Sequence, residues 1–269
     1  MTRTYVVTGS ASGIGAATNR ALDEQGHRVI GIDLRDADIE VDLSTAEGRA
    51  TAVTRAIELS GGVIDGVIAC AGISAPKPVT ISVNYFGVTE VLTGLLPALR
   101  ASSAPRATVV SSIASIHPNS PELVELALAG DESAALSAAE ALAAQGPEVG
   151  YLVYPSSKRA LSRWVRRESI SEAWAGAGIP LNAVAPGTVL TPMTEGLLDN
   201  PEGLAMVDAA VPMPLGYHQP AESIANLLVW LTSEQNTHMA GQTIYCDGGG
   251  DATLRGDDIW SWADSKPAE

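Results

Sequence analysis

Basic side chains are scarce in this sequence: 16 Lys and Arg stand against 31 Asp and Glu, a formal charge of -15 over 269 residues. Such a chain is repelled by polyphosphate, so neither a nucleic-acid partner nor an anionic membrane surface is expected. Cysteine is almost missing, with Cys70 and Cys246 alone, and a reduced protein follows. The histidines, His27, His117, His218 and His238, are scattered without a spacing that shares an ion. They read as surface or loop residues, and no metal is expected. No uncharged run reaches membrane-spanning length, and no charged start leads into an apolar signal segment. The expectation is a cytoplasmic protein of one large α/β domain, with enough chain for a sizeable core.

Regular alternation is what the chain does contain. The apolar run Tyr5-Val6-Val7 leads into Thr8-Gly9-Ser10-Ala11-Ser12-Gly13-Ile14-Gly15 and on into Ala16-Ala17-Thr18, a strand meeting a helix through a glycine-rich turn. Without a Cβ at Gly9 and Gly13 the chain turns tightly and a pyrophosphate approaches the backbone, while Gly15 lets the helix sit close on the strand. Ser12, Gly13, Ile14 and Gly15 then offer free N–H groups at the positive end of the helix dipole. A second strand ends at Asp33, close to the ~20-residue spacing at which an acidic side chain accepts hydrogen bonds from an adenosine ribose and repels a 2′-phosphate. A solvated turn aspartate is the plainer reading, and Arg35 keeps the phosphorylated cofactor in play.

Farther on, Ile39-Glu40-Val41 reads as a short strand ending at Asp42-Leu43, and Ser44 to Glu47 as a capping box opening the next helix. Asp65 to Cys70 is a fourth strand whose small followers, Ala71 and Gly72, let a flat ring approach. The segment Ile81 to Leu99 is apolar at helical spacing and holds Asn84, an amide expensive to bury without partners. Ala107 to Ser112 is a fifth strand ending in two hydroxyls, at the sheet edge where ligands of parallel α/β folds bind. Tyr154-Pro155-Ser156-Ser157-Lys158 opens a helix expected to run through Trp164 to about Trp174. Tyrosine and lysine four apart share a helical face, where an ammonium lowers a phenol's pKa and makes it a usable proton donor and acceptor. Alone, such a pair is more often a surface tyrosine beside a solvated lysine.

Together these residues resemble the short-chain dehydrogenase/reductase family, through Thr8-Gly9-x-x-x-Gly13-x-Gly15, Asn84 in Val83-Asn84-Tyr85-Phe86-Gly87, Ser112, Tyr154-x-x-x-Lys158 and Pro186-Gly187-x-x-x-Thr191. The likeness spans Thr4 to about Gly249. It implies a doubly wound parallel sheet of the Rossmann type, with NAD(H) on the strand ends and a hydride passed between its nicotinamide and an alcohol or ketone carbon. By the same resemblance Tyr154 is the general acid/base, Lys158 its partner and a ribose ligand, and Ser112 the donor to the substrate oxygen, with Ser111 the weaker alternative. Asn84 anchors a proton-relay water. Pro186, Gly187, Val189 and Thr191 lie along the nicotinamide, where Val189 and Thr191 bind its carboxamide, and Asp42-Leu43 meets the adenine.

Two departures from the family stand out. Cys70 occupies the place of the usual asparagine before Ala-Gly, and the stretch from Ser112 to Tyr154 is much longer than the family commonly uses. Residues 117–150 therefore read as a helical insertion before the Tyr154 helix. With segments such as Ile32 to Ala37 and Asp42 to Arg49, the insertion resembles the family's bacterial NAD-dependent 3α-hydroxysteroid dehydrogenase/carbonyl reductase branch, which implies a homodimer. Residues 191–219 are apolar and expected to be a mobile substrate loop for a bulky alicyclic or steroid-like alcohol, with the ordinary packing of a helical hairpin as the plainer reading. A monoterpenoid or other small cyclic alcohol is the alternative, and a non-catalytic dinucleotide sensor the more distant one. The family domain is expected over residues 1–250, followed by a tail, 251–269, whose Ile259, Trp260 and Trp262 pack near the pocket or on a partner subunit.

Overall fold

The computed structural model describes residues 2–261. Its centre is a seven-stranded parallel sheet in the order β3-β2-β1-β4-β5-β6-β9. The strands are β1 (Thr4–Thr8), β2 (Arg28–Asp33), β3 (Ile39–Glu40), β4 (Gly66–Ala69), β5 (Arg106–Val110), β6 (Leu181–Pro186) and β9 (Thr243–Cys246). Consecutive side chains face opposite sides, and the central strands are buried on both, so each feeds two cores. Val6, Val67, Val109 and Ala183 join one core. Their neighbours Val7, Ile68, Val110 and Val184 join the other. Helices α2 (Ala46–Ser60), α4 (Gly87–Arg100) and α8 (Val153–Glu168) cover the first face, and α1 (Gly13–Glu24) with α11 (Ala221–Thr232) the second. Strand order reverses between β1 and β4, which opens a crevice at their carboxyl ends, the place where such sheets bind ligands.

The long apolar segment is not one regular helix. It comprises α3 (Val79–Ile81), a π-helical turn over Ser82–Phe86 and α4. Such wide turns are frequent at functional sites, and Asn84 stands inside this one. Residues 79–100 are long and apolar enough to cross a membrane by composition, yet 72% of the apolar window is buried, which makes this a core helix.

The insertion folds into α5 (Pro121–Leu128), α6 (Glu132–Ala143) and the single turn α7 (Pro147–Gly150). Leu123, Val124, Ala127, Ala135 and Ala139 extend the first core, against α8 and the segment around Asn84. Polar ties fix it there. Arg49, whose side chain is 2% exposed, pairs with Glu90 of α4 at 2.6 Å and Glu132 of α6 at 2.5 Å. Ser156 of α8 accepts from the Ser120 N–H that precedes α5, at 2.9 Å.

Beyond β6, a two-stranded pairing of β7 (Val189–Leu190) with β8 (Gln219–Pro220) closes the base of a helical hairpin, α9 (Pro192–Leu198) and α10 (Pro201–Ala210). Residues 191–219 thus have the secondary structure of the plainer reading, a helical hairpin, and Met193, Leu197, Met206, Leu215 and Tyr217 remain exposed on it.

Several local expectations need correction. Thr45, not Ser44, caps α2, because its hydroxyl is the one that accepts from Gly48 N, at 3.0 Å. The fifth strand ends at Val110, leaving both serines beyond it. The Tyr154 helix stops at Glu168, short of Trp174, whose indole turns back to pack edge-on against Trp164 at 6.1 Å. The tail begins with a helix, α12 (Gly250–Arg255), because Asp247 accepts from the N–H groups of Gly249 and Asp251. Ile259 and Trp260 are exposed, and Trp262 lies outside the described residues. All four histidines sit in loops, but Nε2 of His117 is buried and finds no partner among the described residues.

Candidate active site

The crevice at the strand ends is a cleft of about 370 Å³, within the ~300–1,000 Å³ typical of small-molecule sites. Its floor is the glycine-rich turn between β1 and α1. Gly9 has φ +67°, and a Cβ there would press on the Ala71 backbone at 2.8 Å; one at Gly15 would meet the Gly9 carbonyl at 2.0 Å. Ser12 caps α1 without a side-chain hydrogen bond, so the first-turn N–H groups are left for a ligand.

Asp33 lines one end of the cleft and is oriented by the backbone: its carboxylate accepts from Ala11 N at 2.9 Å and Leu34 N at 2.7 Å. Each oxygen keeps a free lone pair for a ribose hydroxyl. Arg35 is exposed and outside the lining. Asp42 and Leu43 line the same end, the carboxylate of Asp42 accepting from Ser44 N at 2.8 Å. Ala71 is held by its N–H bond to Thr8 Oγ1, at 3.1 Å. Beside it, burial pushes the Cys70 thiol up to about 12, so it is a neutral small hydrophobe in place of an amide.

Ser112, Tyr154 and Lys158 line the other end. Ser112 begins the 3₁₀ turn Ile113–Ile116, its hydroxyl accepting from Ala114 N at 3.1 Å. Ser111 is occupied elsewhere, on the Lys158 carbonyl at 3.2 Å and Ser162 Oγ at 2.7 Å, which leaves Ser112 as the serine facing Tyr154. Burial pushes Tyr154 up to about 12, against the pull of its hydrogen bond with Ser112. Burial also draws Lys158 down to about 8. The expected lowering of the tyrosine by the lysine is therefore absent from this structure. Desolvation raises the phenol, and Nζ turns to the Val110 carbonyl at 2.9 Å, 5.9 Å from the Tyr154 ring centroid.

Asn84 is the one expected site residue outside the lining; it stands directly behind it. Its Oδ1 accepts from Ile73 N at 2.8 Å, and Nδ2 donates to Ile73 O at 2.9 Å and Ser157 Oγ at 3.0 Å. A Cβ on Gly72 would lie 3.2 Å from that Oδ1 and 3.4 Å from Lys158 Nζ, so a side chain there would crowd both. Pro186, Gly187, Val189 and Thr191 complete the lining from the end of β6 and the root of the hairpin. Thr191 packs beneath the glycine turn, 3.3 Å from where a Cβ of Gly13 would lie.

The structure adds Leu34, Val41, Ile73, Val83, Val110, Met193 and Thr194 to the lining. These are unremarkable apolar or hydroxyl residues, and their only signal in sequence is a position next to a strand end or glycine turn. A backbone cradle for phosphates, an acidic group at one end and an apolar cleft leading to a neutral phenol at the other fit a dinucleotide.

Known proteins are similar to this chain in sequence and fold. The family model described as enoyl-(acyl carrier protein) reductase matches residues 9–251. The 3-alpha-hydroxysteroid dehydrogenase/carbonyl reductase of Comamonas testosteroni is 39% identical over 256 residues, 93% of this chain and 97% of that protein. The cis-4-hydroxycyclohexanecarboxylate dehydrogenase of Sinomonas cyclohexanicum is 31% identical, covering 92% and 96%. The crystal structure of a 3-alpha-hydroxysteroid dehydrogenase from Pseudomonas sp. B-0831 complexed with NADH superposes with a TM-score of 0.86 at 40% identity, covering 95% of this chain and all of that one. The chain belongs to the short-chain dehydrogenase/reductase family.

Proposed function

We propose that the protein is an NAD(H)-dependent oxidoreductase interconverting a secondary alcohol and its ketone on a bulky alicyclic, steroid-like skeleton. The observation that carries this is the convergence of Ser112, Tyr154 and Lys158 at one end of a cleft whose other end holds Asp33. Bound NAD(H) supplies the hydride acceptor or donor. Tyr154 takes the proton from the alcohol, or returns it to the nascent alkoxide, at its phenolic oxygen. Ser112 holds the substrate oxygen and bonds to that phenol. Lys158, buried beside them, supplies positive charge when a proton leaves. Asn84 clamps the Ile73 backbone, and with it the wall against which the ring system lies.

The relatives' names support the steroid reading, and the cyclohexane relative supports a smaller cyclic alcohol as second choice. Two free thiols suit a reducing, cytoplasmic setting. The homodimer reading is supported by the insertion, because Ser156, Arg159, Arg163 and Arg167 of α8 bond to residues 115–128 and so cover the face of α8 that would otherwise be open to a second subunit. Screening cyclic secondary alcohols with NAD⁺, by absorbance of the reduced nicotinamide, tests the chemistry. Turnover of a 3α-hydroxysteroid is expected. Binding of NADH with no turnover of any alcohol would leave the dinucleotide-sensor reading instead.

A further inference from the structure

Ser112 stands two residues past the end of β5, where the hydrogen-bond ladder of the sheet no longer fixes the chain. Its position is set instead by the 3₁₀ turn that it opens. Its hydroxyl accepts from Ala114 N, and its carbonyl accepts from Ser115 N at 3.0 Å. The first bond occupies a lone pair of the hydroxyl oxygen and leaves the hydrogen for the phenol or a substrate oxygen. A hydroxyl aimed in this way stays aimed only while the turn stays in place.

Ser115 is the handle by which the turn is held. It is 1% exposed, so its hydroxyl needs a partner within the protein. That partner is Tyr245 of β9, whose hydroxyl lies 3.0 Å away, while Nε of Arg159 on α8 donates to the Ser115 carbonyl. Tyr245 stands on the edge strand, two strands from β5. It reaches the turn across Ala185, its register partner on β6, where a methyl group leaves the way open. The Arg255 guanidinium of α12 lies 5.1 Å from the centre of the Tyr245 ring and is itself bonded to both oxygens of Asp251. Gly250, which begins α12, abuts the residue after Ser112: a Cβ there would come within 2.7 Å of Ile113 Cδ1. The turn is thus gripped by α8 from one side and by β9 with α12 from the other.

On the alcohol-dehydrogenase reading above, we infer that Tyr245 is a positioning residue for Ser112: its hydroxyl, acting through Ser115, holds the turn so that Ser112 meets the substrate oxygen already aimed. Tyr245 is not in the lining of the cleft, so its influence passes through the turn. Without its hydroxyl, Ser115 Oγ is left buried and unpaired, and the turn shifts to find another partner. Preorganised donors lose most by such shifts, a displacement of about 1 Å costing on the order of 10²-fold in rate.

Tyr245→Phe keeps the ring against Arg255 and removes only the hydroxyl. With NAD⁺ and a 3α-hydroxysteroid, kcat should fall about three- to tenfold, a part of that limit, while KM for NAD⁺ stays as in the parent. Ser115→Ala should cause a like loss, and the two together no more than either alone. In a Ser112→Ala background Tyr245→Phe should have no further effect, which a general loosening of the fold would not produce. Hydrogen exchange at the amides of residues 113–117 should quicken in Tyr245→Phe, a readout that needs no substrate. A parental kcat, an equal loss in the Ser112→Ala background or unaltered exchange overturns the inference. The reading on which it rests fails differently: a parent that oxidises no alcohol, or Ser112→Ala with parental turnover, removes the role of Ser112 and that of Tyr245 with it. A loss in Ser112→Ala beside an unaffected Tyr245→Phe removes only the role of Tyr245.

Discussion

Ser157 Oγ lies 3.0 Å from Asn84 Nδ2 and donates in turn to the Tyr154 carbonyl at 2.7 Å, so the wide π-helical turn and the helical turn carrying the phenol are joined by one hydroxyl. With its two bonds to Ile73, the Asn84 amide uses both donor hydrogens and its oxygen. In Asn84→Ala the Ile73 backbone and Ser157 lose these partners, each at about 1–3 kcal/mol when shielded from water. Thermal unfolding should shift down by several degrees and turnover should fall with it. An unchanged melting temperature would mean that water replaces the amide and that the clamp is unimportant.

Tyr154→Phe keeps the ring in its buried place and removes only the proton donor. Turnover should fall by at least the ~10²–10⁴-fold that general acid/base groups supply. NADH binding, followed by its fluorescence, should persist. A Phe variant with near-parental turnover would remove Tyr154 from the chemistry.

Lys158 is held at a cost, and the pH dependence gives its sign. Its ordinary value is 10.5 and burial lowers it to about 8. Below about 8 both folded and unfolded chains carry the charge and the whole penalty is present. As pH rises from 8 toward 10.5 the folded chain releases its proton first and the penalty is relieved. At ~1.4 kcal/mol per pH unit the burden near neutrality is on the order of 3 kcal/mol, part of it offset by the bond to Val110 O. Lys158→Met should therefore raise the melting temperature at pH 7, with the gain fading by pH 10, while activity is lost. Loss of stability at pH 7 would show that the lysine is well solvated by polar neighbours.

Residues whose chemistry depends on spacing were legible before the fold was known. Gly9, Gly13, Gly15, Asp33, Tyr154 and Lys158 all reach one cleft because strand-turn-helix units put them at the same sheet edge. What the sequence conceals depends on competition between local and tertiary terms. The π-helical turn at Asn84 has no composition signal, since it exists to bring an amide to Ile73. The early end of α8 escapes helical periodicity because Trp174 continues the apolar pattern from outside the helix. The direction of the Tyr154 shift is hidden from the sequence for a similar reason: spacing reports a neighbouring cation, but not how completely both groups are buried.

Asp33 should govern the choice of cofactor. Its carboxylate is already fixed by Ala11 N and Leu34 N, so it meets an adenosine ribose without rearrangement and repels a 2′-phosphate. NAD⁺ should be preferred over NADP⁺ in kcat/KM, and Asp33→Ala should narrow the ratio mainly through a higher KM for NAD⁺. If the parent used NADP⁺ more efficiently, exposed Arg35 would have to be the dominant contact instead.

Assembly follows from where the insertion lies. By the family resemblance, subunits commonly associate through the helix that begins near Asn84 and the one carrying Tyr154. Here residues 117–150 pack on α8, and Arg49 ties α6 to both α2 and α4 through Glu132 and Glu90. A second copy cannot use the surface that α5 and α6 already bury, so a dimer on another face is expected from light scattering coupled to gel filtration. A tetramer built on the α4 and α8 contact would contradict this. Arg49→Met supplies the complementary test: it leaves Glu90 and Glu132 facing each other across a vacated buried site. Because both carboxylates are partly exposed, at 46% and 26%, the loss should be about 1–3 kcal/mol rather than the larger cost of a wholly buried pair. Limited proteolysis should then cut within residues 129–146 before any other part of the chain, with the dimer intact. Dissociation to monomers on that substitution would place the insertion at the subunit contact.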